Sequence, residues 1–452
     1  MTESTSVSRD EHRRLDTPAG PIVGKVRGGV LRFLGIPYAR ADRFRAPTPL
    51  EPFAEPFEAT EAAPAAPQST SRVVSEAVEG IPTGRQDENC HHLSVTLPVD
   101  LGQDERPPVL VWFHGGSYVT GSGDLAIFDP ARLVREQRVI VVSVTFRLGV
   151  LGYLRLPGVA PANLGLLDQV AALRWVAANI ASFGGDPDKV TLFGQSAGGD
   201  AVAHLMISRG AEGLFRRAIV QSAPLGLLSR RDRMYEAMAG VVGALTPETE
   251  TREVLARQEK AVEAGRGFGL PSAMPFGTRY GHDPLPPESL RTRAWREAAP
   301  RIDVLVGATS EETGLFAEFL APIKRLSGLP VIGSTLRRTL VRFTTWVIYT
   351  GPVRGFVRRH RRAGGRAVRY TFTWRPEGSP FGAAHITDIP LLLGTRKAWE
   401  RASLVGRTSW EELDRRGRAV RKVWGEFART GSVGAEAAAA AAAADSLTVH
   451  RS

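Results

Sequence analysis

A single cysteine, Cys90, is all the thiol this 452-residue chain carries. One thiol cannot close an intrachain disulfide, which excludes a disulfide-built secreted scaffold and a cysteine-based zinc ribbon. Long apolar runs are missing too: none approaches the roughly 20 residues that span a bilayer. The opening, Met1-Thr2-Glu3-Ser4 through Asp10-Glu11-His12-Arg13-Arg14, is polar and lacks the apolar core of a signal peptide. A cytoplasmic protein without a membrane span is therefore expected. Acid is absent from one stretch: no Asp or Glu lies between Phe319 and Pro376, while Lys324, Arg325, Arg337, Arg338, Arg342, Arg354, Arg358, Arg359, Arg361, Arg362, Arg366 and Arg369 do. Such a stretch suits an anionic surface, nucleic acid or an acidic substrate. No aromatic residue interleaves Arg358–Arg362 as a base-stacking platform requires, so the solvated face of a helix is the expected reading and nucleic acid is not an expected partner.

What is present is ordinary for a globular protein: 43 % hydrophobic and 23 % charged residues, with a formal net charge of +11. Continuously apolar runs at Val109–Phe113, Val139–Val144, Val190–Phe193, Ala218–Gln221, Val304–Gly307 and Val368–Phe372 read as strands buried on both faces. Helical spacing, as in Leu166–Val176, separates them. Strands alternating with helices predict a mostly parallel sheet covered on both faces. Residues 226–300 and 317–366 lack a strand pattern and are expected to form cap-like excursions, with Trp346 and Tyr349 as pocket walls. Residues 1–16 read as a disordered arm. Residues 433–452 contain the alanine run Ala437–Ala444; alanine favours helix, but so uniform a run offers no apolar face, and a frayed low-complexity tail is expected. The main domain would then span residues 17–432.

One G-x-S-x-G occurs, Gly194-Gln195-Ser196-Ala197-Gly198. With 47 glycines in the chain, about 0.2 such matches arise by chance, so context decides. It follows the strand Val190–Phe193 and precedes the helix-like Gly199–Met206, the setting of a nucleophile elbow. Glycines two residues either side remove side chains that would collide beneath the turn. Upstream, directly after another strand, stands His114-Gly115-Gly116-Ser117-Tyr118, a glycine-rich loop able to expose backbone N–H groups to an oxyanion. Such a loop resembles the HGGG-type oxyanion loop of esterases and lipases, with Ser117 in place of the third glycine. Serine keeps the N–H, and its side chain narrows the acyl side of the pocket. A serine nucleophile needs a base and a group that orients it. Downstream histidines are His204, His282, His360, His385 and His450. Only His385 lies in a loop following a late strand. Glu311 and Glu312 directly follow the strand at Val304–Gly307, at the strand edge where open α/β sheets build their sites.

These blocks, together with Phe33–Ala39, Arg147–Leu154 and the long run Asn163–Gly199, make the chain resemble the type-B carboxylesterases, the carboxylesterase/cholinesterase branch of the α/β-hydrolases, from about Gly20 to Gly431. The resemblance implies an α/β-hydrolase fold and a serine carboxylesterase of bacterial type with no cofactor and no metal. An amidase, carbamate hydrolase or acyltransferase using the same site is the alternative, as is a non-catalytic binding module on this fold. The implied residues are Ser196 as nucleophile, His385 as base and Glu312 as orienting acid. Glu312 takes the second acidic position of Gly307–Phe316, which looks like the family's G-x-x-x-D-E-G-x-x-F with Thr313 for the usual glycine. Gly116, Ser117 and Ala197 would donate the oxyanion N–H groups. Ser222 and Asp388 match positions that buttress the histidine and the site, and Arg43 with Glu88 matches a structural ion pair. Gln195 stands where many relatives carry glutamate. The family's first disulfide would join Cys90 to a residue that is Ala66 here. The stretch Ser69–Asn89 holds no Phe, Trp or Tyr, so the aromatic platform for a quaternary ammonium is missing and a cholinesterase is not expected. The chain beyond Phe427 departs from the family pattern. The expected partner is a small-molecule ester, taken up by a monomer.

Overall fold

The computed structural model describes residues 11–69, 77–78, 84–318 and 333–450. Its strands are β1 (His12–Thr17), β2 (Gly20–Arg27), β3 (Val30–Pro37), β4 (Phe57–Glu58), β5 (His92–Pro98), β6 (Val109–Phe113), β7 (Ile140–Val144), β8 (Val190–Gln195), β9 (Arg217–Gln221), β10 (Asp303–Thr309), β11 (Ala367–Phe372) and β12 (Leu447–His450). They form one sheet in the order β1-β2-β3-β5-β7-β6-β8-β9-β10-β11-β12, with β4 beside β2. From β7 to β11 every neighbour is parallel, and the flanks are antiparallel. This is the α/β-hydrolase arrangement, a mostly parallel centre covered by helices. All six apolar runs are strands of it.

Those runs lack polar alternation because the sheet is buried on both faces. Along β6, Val109, Val111 and Phe113 enter one core cluster while Leu110 and Trp112 enter the other. The same division occurs along β10, where Val304 and Val306 oppose Leu305. Within the second core, Trp112 and Phe193 from adjacent strands pack with ring centroids 4.8 Å apart. Burial near 25 cal/mol per Å² of apolar surface makes this double layer the main source of stability.

Residues 12–16 are not part of an arm. They pair with β2 as β1, in register His12↔Lys25 to Thr17↔Gly20. The strand escapes notice in the sequence because it is a half-exposed edge with little apolar content. Residues 1–10 lie outside the described residues. The alanine-rich tail is also ordered. Ala435–Ala443 is a helix whose Ala437 and Ala441 are fully buried with residues of the long helix Trp410–Thr430, and β12 then closes the sheet against β11. Small side chains at i and i+4 let the helix approach closely, so no bulky apolar face is needed. Lys422 pairs with Glu436 at 2.6 Å across this junction.

The excursions carry helices and no strands among the described residues: Asp232–Val242, Thr251–Gly265 and Arg291–Ala298 in the first, Gly333–Thr345 and Gly351–Arg362 in the second. In Gly351–Arg362 the residues Val353, Phe356, Val357 and His360 are buried while Arg354, Arg358, Arg359 and Arg362 are exposed, the solvated face expected of the arginine cluster. Lys324 and Arg325 lie outside the described residues. Arg43 and Glu88 form the expected pair, Nε to Oε2 at 2.8 Å, and Thr251 joins it at 2.6 Å. Cys90 is free and buried, in the same core cluster as Ala66. No helix among the described residues is long and apolar enough to cross a membrane.

Candidate active site

β6 and β8 are neighbours, and the chain leaves β6 toward β7 on the opposite side from β8. Diverging connections open a crevice at the carboxyl ends of such strands. The loop after β6 and the turn after β8 meet there. A Cβ at Gly115 would lie 2.8 Å from the Gln195 carbonyl oxygen and 3.2 Å from the Ser196 Cβ, so only glycine allows this approach. Ser196 has φ 59° and ψ −124°, a strained conformation for a serine. The turn tolerates it because Gly194 and Gly198 touch: a Cβ on Gly194 would stand 2.5 Å from the Gly198 backbone, and one on Gly198 would strike the Phe113 carbonyl. The helix Ala197–Leu205 begins at the serine, so the positive end of its dipole faces the crevice.

On the other side of the turn, Gly116, Ser117 and Tyr118 have φ of 111°, 55° and 61°. The N–H groups of Gly116, Ser117 and Ala197 donate to no protein acceptor among the described residues. They are available to a ligand. His114, stacked on Phe146 at 4.5 Å, is held neutral: burial pulls its pKa down to about 4.

β10 and β11 end at the same edge and bring the acid and the imidazole together. Glu312 is fully buried; its Oε2 accepts from His385 Nδ1 and its Oε1 from the Thr309 N–H at 2.6 Å. Glu311 turns away, accepting from Arg375 Nη1 at 2.8 Å and from the Ala383 N–H at 3.0 Å. Thr313 sits in the turn without displacing it, and its hydroxyl bonds Thr344 at 2.7 Å. The rings of Phe316, which ends the Gly307–Phe316 motif, and of the expected pocket wall Tyr349 flank His385 at 5.5 and 5.6 Å, contacts that the sequence did not foretell. At the far nitrogen, the Gln195 Nε2 amide lies 3.3 Å from His385 Nε2. The remaining histidines are elsewhere: His204 and His360 are buried, His282 and His450 partly so.

Asp388 does not bond the imidazole. Its Oδ2 accepts from Gln221 Nε2 at 2.9 Å, and Gln221 accepts in turn from Trp424 Nε1 at 3.1 Å. Burial pushes the Asp388 carboxyl up to about 6, with nearby Glu312 adding to the shift and Gln221 and His385 opposing it. Ser222 is buried with its Oγ unpartnered among the described residues, and its N–H donates to the Gly307 carbonyl at 2.9 Å. Both residues stand behind the site rather than in it.

Ser117 and Ser196 line a cavity of about 200 Å³ most of whose other described walls come from the two excursions, among them Leu227, Met274, Leu340, Val341 and Tyr349, with Pro224, Thr313 and Phe316 beside them. No charged side chain among the described residues lines it. Tyr349 is a wall as expected; Trp346 is not, and is 56 % exposed. Trp346 opens a π-helical turn that rotates it away from the cavity while Ile348 and Tyr349 face inward. No group of three or more His, Cys, Asp or Glu side chains among the described residues is arranged to hold a metal.

The sequence pattern of the Carboxylesterase family matches residues 11–329. The chain is 40 % identical over 424 residues to a probable N-octanoylanthranilate hydrolase of Rhodococcus erythropolis, covering 92 % of each chain. It is 31 % identical to the para-nitrobenzyl esterase of Bacillus subtilis strain 168, over 94 % of this chain and 91 % of that one. Among solved structures, a thermophilic PNB esterase superposes with a TM-score of 0.77 at 28 % identity, over 94 % of this chain and 92 % of its own. A serine on a strained elbow, an imidazole held by a buried glutamate and these full-length likenesses agree, and the chain belongs to the carboxylesterase family.

Proposed function

We propose that Ser196, His385 and Glu312 carry the ester hydrolysis of this serine carboxylesterase, with the N–H groups of Gly116, Ser117 and Ala197 receiving the oxyanion. The observation that carries the assignment is the convergence at one sheet edge of the strained Ser196 turn and the Glu312–His385 pair. With the Nδ1 proton directed at Glu312, Nε2 is left as the base. It takes the Ser196 hydroxyl proton as Oγ attacks the ester carbonyl carbon. The tetrahedral oxyanion collapses, the C–O bond to the alcohol breaks, and the imidazolium returns its proton to that oxygen. Water then attacks the acyl-enzyme by the same route, delivering one proton to Nε2 and from there to Ser196. Gln195 donates to Nε2 in the resting geometry. That contact must yield when the serine proton arrives.

The described walls of the cavity are uncharged and largely apolar, which favours a medium-length acyl chain. Each methylene that enters is worth about 0.8 kcal/mol, roughly fourfold in kcat/KM. Across para-nitrophenyl esters from acetyl to decanoyl, kcat/KM is expected to climb at least tenfold before falling once the chain outgrows the cavity. A flat profile, or acetyl as the best substrate, contradicts the acyl-pocket assignment. A second reading is hydrolysis of an N-acyl amide. It is favoured by the 40 % identity to a probable N-octanoylanthranilate hydrolase, a protein named for a substrate with an eight-carbon acyl group. The same triad serves both reactions, the imidazolium then protonating an amine instead of an alkoxide. Octanoyl anilide tested beside octanoyl phenyl ester decides between them.

Ser117 acts through its backbone. Its φ of 55° is one that glycine adopts at no steric cost, so Ser117→Gly keeps the donor and relaxes the loop. Turnover is expected to stay within about threefold, far from the 10²–10³ typical of a lost oxyanion donor. Bulkier acyl groups are expected to gain. A 100-fold loss in a folded Ser117→Gly variant assigns chemistry to the hydroxyl instead.

A further inference from the structure

The oxyanion loop makes three consecutive left-handed residues, and two of them, Ser117 and Tyr118, are not glycine. Such residues cost of order 1–3 kcal/mol each and persist only where the surroundings enforce them. The Tyr118 carbonyl accepts from the Gly149 N–H at 2.6 Å, and Gln68 holds the far end through Thr120 Oγ1 and the Gly121 N–H, both at 2.7 Å. These anchors fix the rim of the loop. One contact ties it to the nucleophile's own helix: the Tyr118 hydroxyl donates to Asp200 Oδ2 at 2.7 Å.

Asp200 lies one turn into the helix Ala197–Leu205, and its N–H donates to the Ser196 carbonyl at 2.9 Å. Tyr118 is 1 % exposed and Asp200 0 %, and Oδ1 of the carboxylate has no partner among the described residues. His204 Nδ1 is 3.5 Å from Oδ2, so the Tyr118 hydroxyl is the one close donor among the described residues to this buried carboxylate, which depends on it. The opposite side of Asp200 is equally fixed. His204 Nδ1 lies 2.7 Å from the Asp200 backbone oxygen, and its Nε2 is 2.7 Å from the Tyr280 hydroxyl. The Tyr118 ring packs on Tyr153 at 4.3 Å, leaving the phenol one direction in which to point.

We infer that Tyr118 and Asp200 form a positioning pair that sets the spacing between the two halves of the oxyanion hole, the Gly116 and Ser117 N–H groups on the loop and the Ala197 N–H on the helix. Neither side chain lines the substrate cavity or bonds the triad, so both act through the backbone donors they hold. The inference rests on the reading of those N–H groups as the oxyanion site. A hole of wrong width still admits substrate, but it fits the tetrahedral oxyanion poorly. The cost therefore falls on kcat and leaves KM nearly unchanged.

The test uses the full chain, a medium-length para-nitrophenyl ester, and two inhibitors of matched chain length. One is a trifluoromethyl ketone, which forms an oxyanion adduct; the other is the corresponding secondary alcohol, which forms none. Wild type is expected to bind the ketone at least 100-fold more tightly; no such preference overturns the oxyanion reading and this inference with it. Given that preference, Tyr118→Phe is expected to lower kcat between about 10- and 100-fold. Ketone affinity should fall by the same factor, with KM and alcohol affinity unchanged within twofold. Asp200→Asn, which keeps an acceptor for the phenol, should retain activity within about fivefold of wild type. The double variant Tyr118→Phe/Asp200→Leu leaves neither partner buried alone, so it stays informative if the single Tyr118 variant does not fold. It should show the same kcat loss and the same loss of ketone preference. A folded Tyr118→Phe or double variant with intact kcat and intact ketone preference overturns the pair, whatever happens to thermal stability. So does a loss carried in KM alone.

Discussion

Ser196→Ala is expected to fold as wild type does and to lose about 10⁴-fold or more in kcat on any ester. The hydroxyl is the one atom group removed, and it supplies the only bond that the acyl-enzyme can form at this turn. Its neighbours gain nothing from it structurally: Ser196 makes its main-chain contacts through its N–H, which donates to the Gln221 carbonyl at 2.9 Å, and its carbonyl, which accepts from Asp200. Alanine preserves both. The residual rate of such a variant comes from the oxyanion donors and the cavity, which still bind and polarise the ester. Burst kinetics with a para-nitrophenyl ester make the comparison sharper, because wild type should release one equivalent of phenol rapidly and the variant none. Undiminished turnover in folded Ser196→Ala removes the serine mechanism.

The second large effect separates two adjacent acids. Glu312→Gln is expected to cost roughly 10³–10⁴-fold in kcat, and Glu311→Gln less than about tenfold. Glu312 accepts at both oxygens, from His385 and from the Thr309 N–H. Glutamine has one acceptor oxygen for these two donors. If it stays with the Thr309 N–H, an amide donor faces Nδ1 and drives the imidazole into the tautomer that cannot accept the serine proton. Glu311 has no such hold on the ring; its partners are Arg375 and the Ala383 N–H, at the outside of the loop. Glutamine there can still accept from one of them. Steady-state kinetics of the two variants on one ester, with circular dichroism to verify folding, gives the ranking. The reverse order moves the acid to Glu311.

The central strands were legible because burial on both faces leaves a continuous apolar run, and β6 matches its run Val109–Phe113 residue for residue. The flanking strands were not. β2 buries only alternate residues, Ile22, Gly24 being a glycine and Val26, and β1 is a polar edge whose pairing comes from backbone groups that any sequence provides. β12 follows an alanine run whose packing depends on smallness, a property that hydropathy does not score. In the site, Ser196, Glu312 and His385 stand in motifs tied to strand ends, so order along the chain places them at one sheet edge, where Glu312 bonds His385. Phe316 and Tyr349 flank His385 through tertiary packing alone. The Asp200–Tyr118 contact left a trace that reading by motif passes over: an ionisable side chain within Gly198-Gly199-Asp200-Ala201-Val202-Ala203, a run of small and apolar residues, has to be buried and so has to find a partner. Trp346 does not wall the pocket as expected: three residues from Tyr349 it would share that residue's face in a regular α-helix, and the π-turn Trp346–Thr350 breaks that period.

If Ser196 is the nucleophile, it is the one serine that becomes acylated. A fluorophosphonate carrying a medium-length alkyl chain reacts at an activated serine and stops at the covalent adduct. Incubated with the wild-type chain, it should add once per molecule, abolish ester turnover in proportion to labelling, and place its mass on the peptide containing Gly194-Gln195-Ser196-Ala197-Gly198 by tandem mass spectrometry. Ser196→Ala should take up none. Inactivation with the label on any other residue, or stoichiometric labelling of Ser196→Ala, rules out Ser196 as the nucleophile.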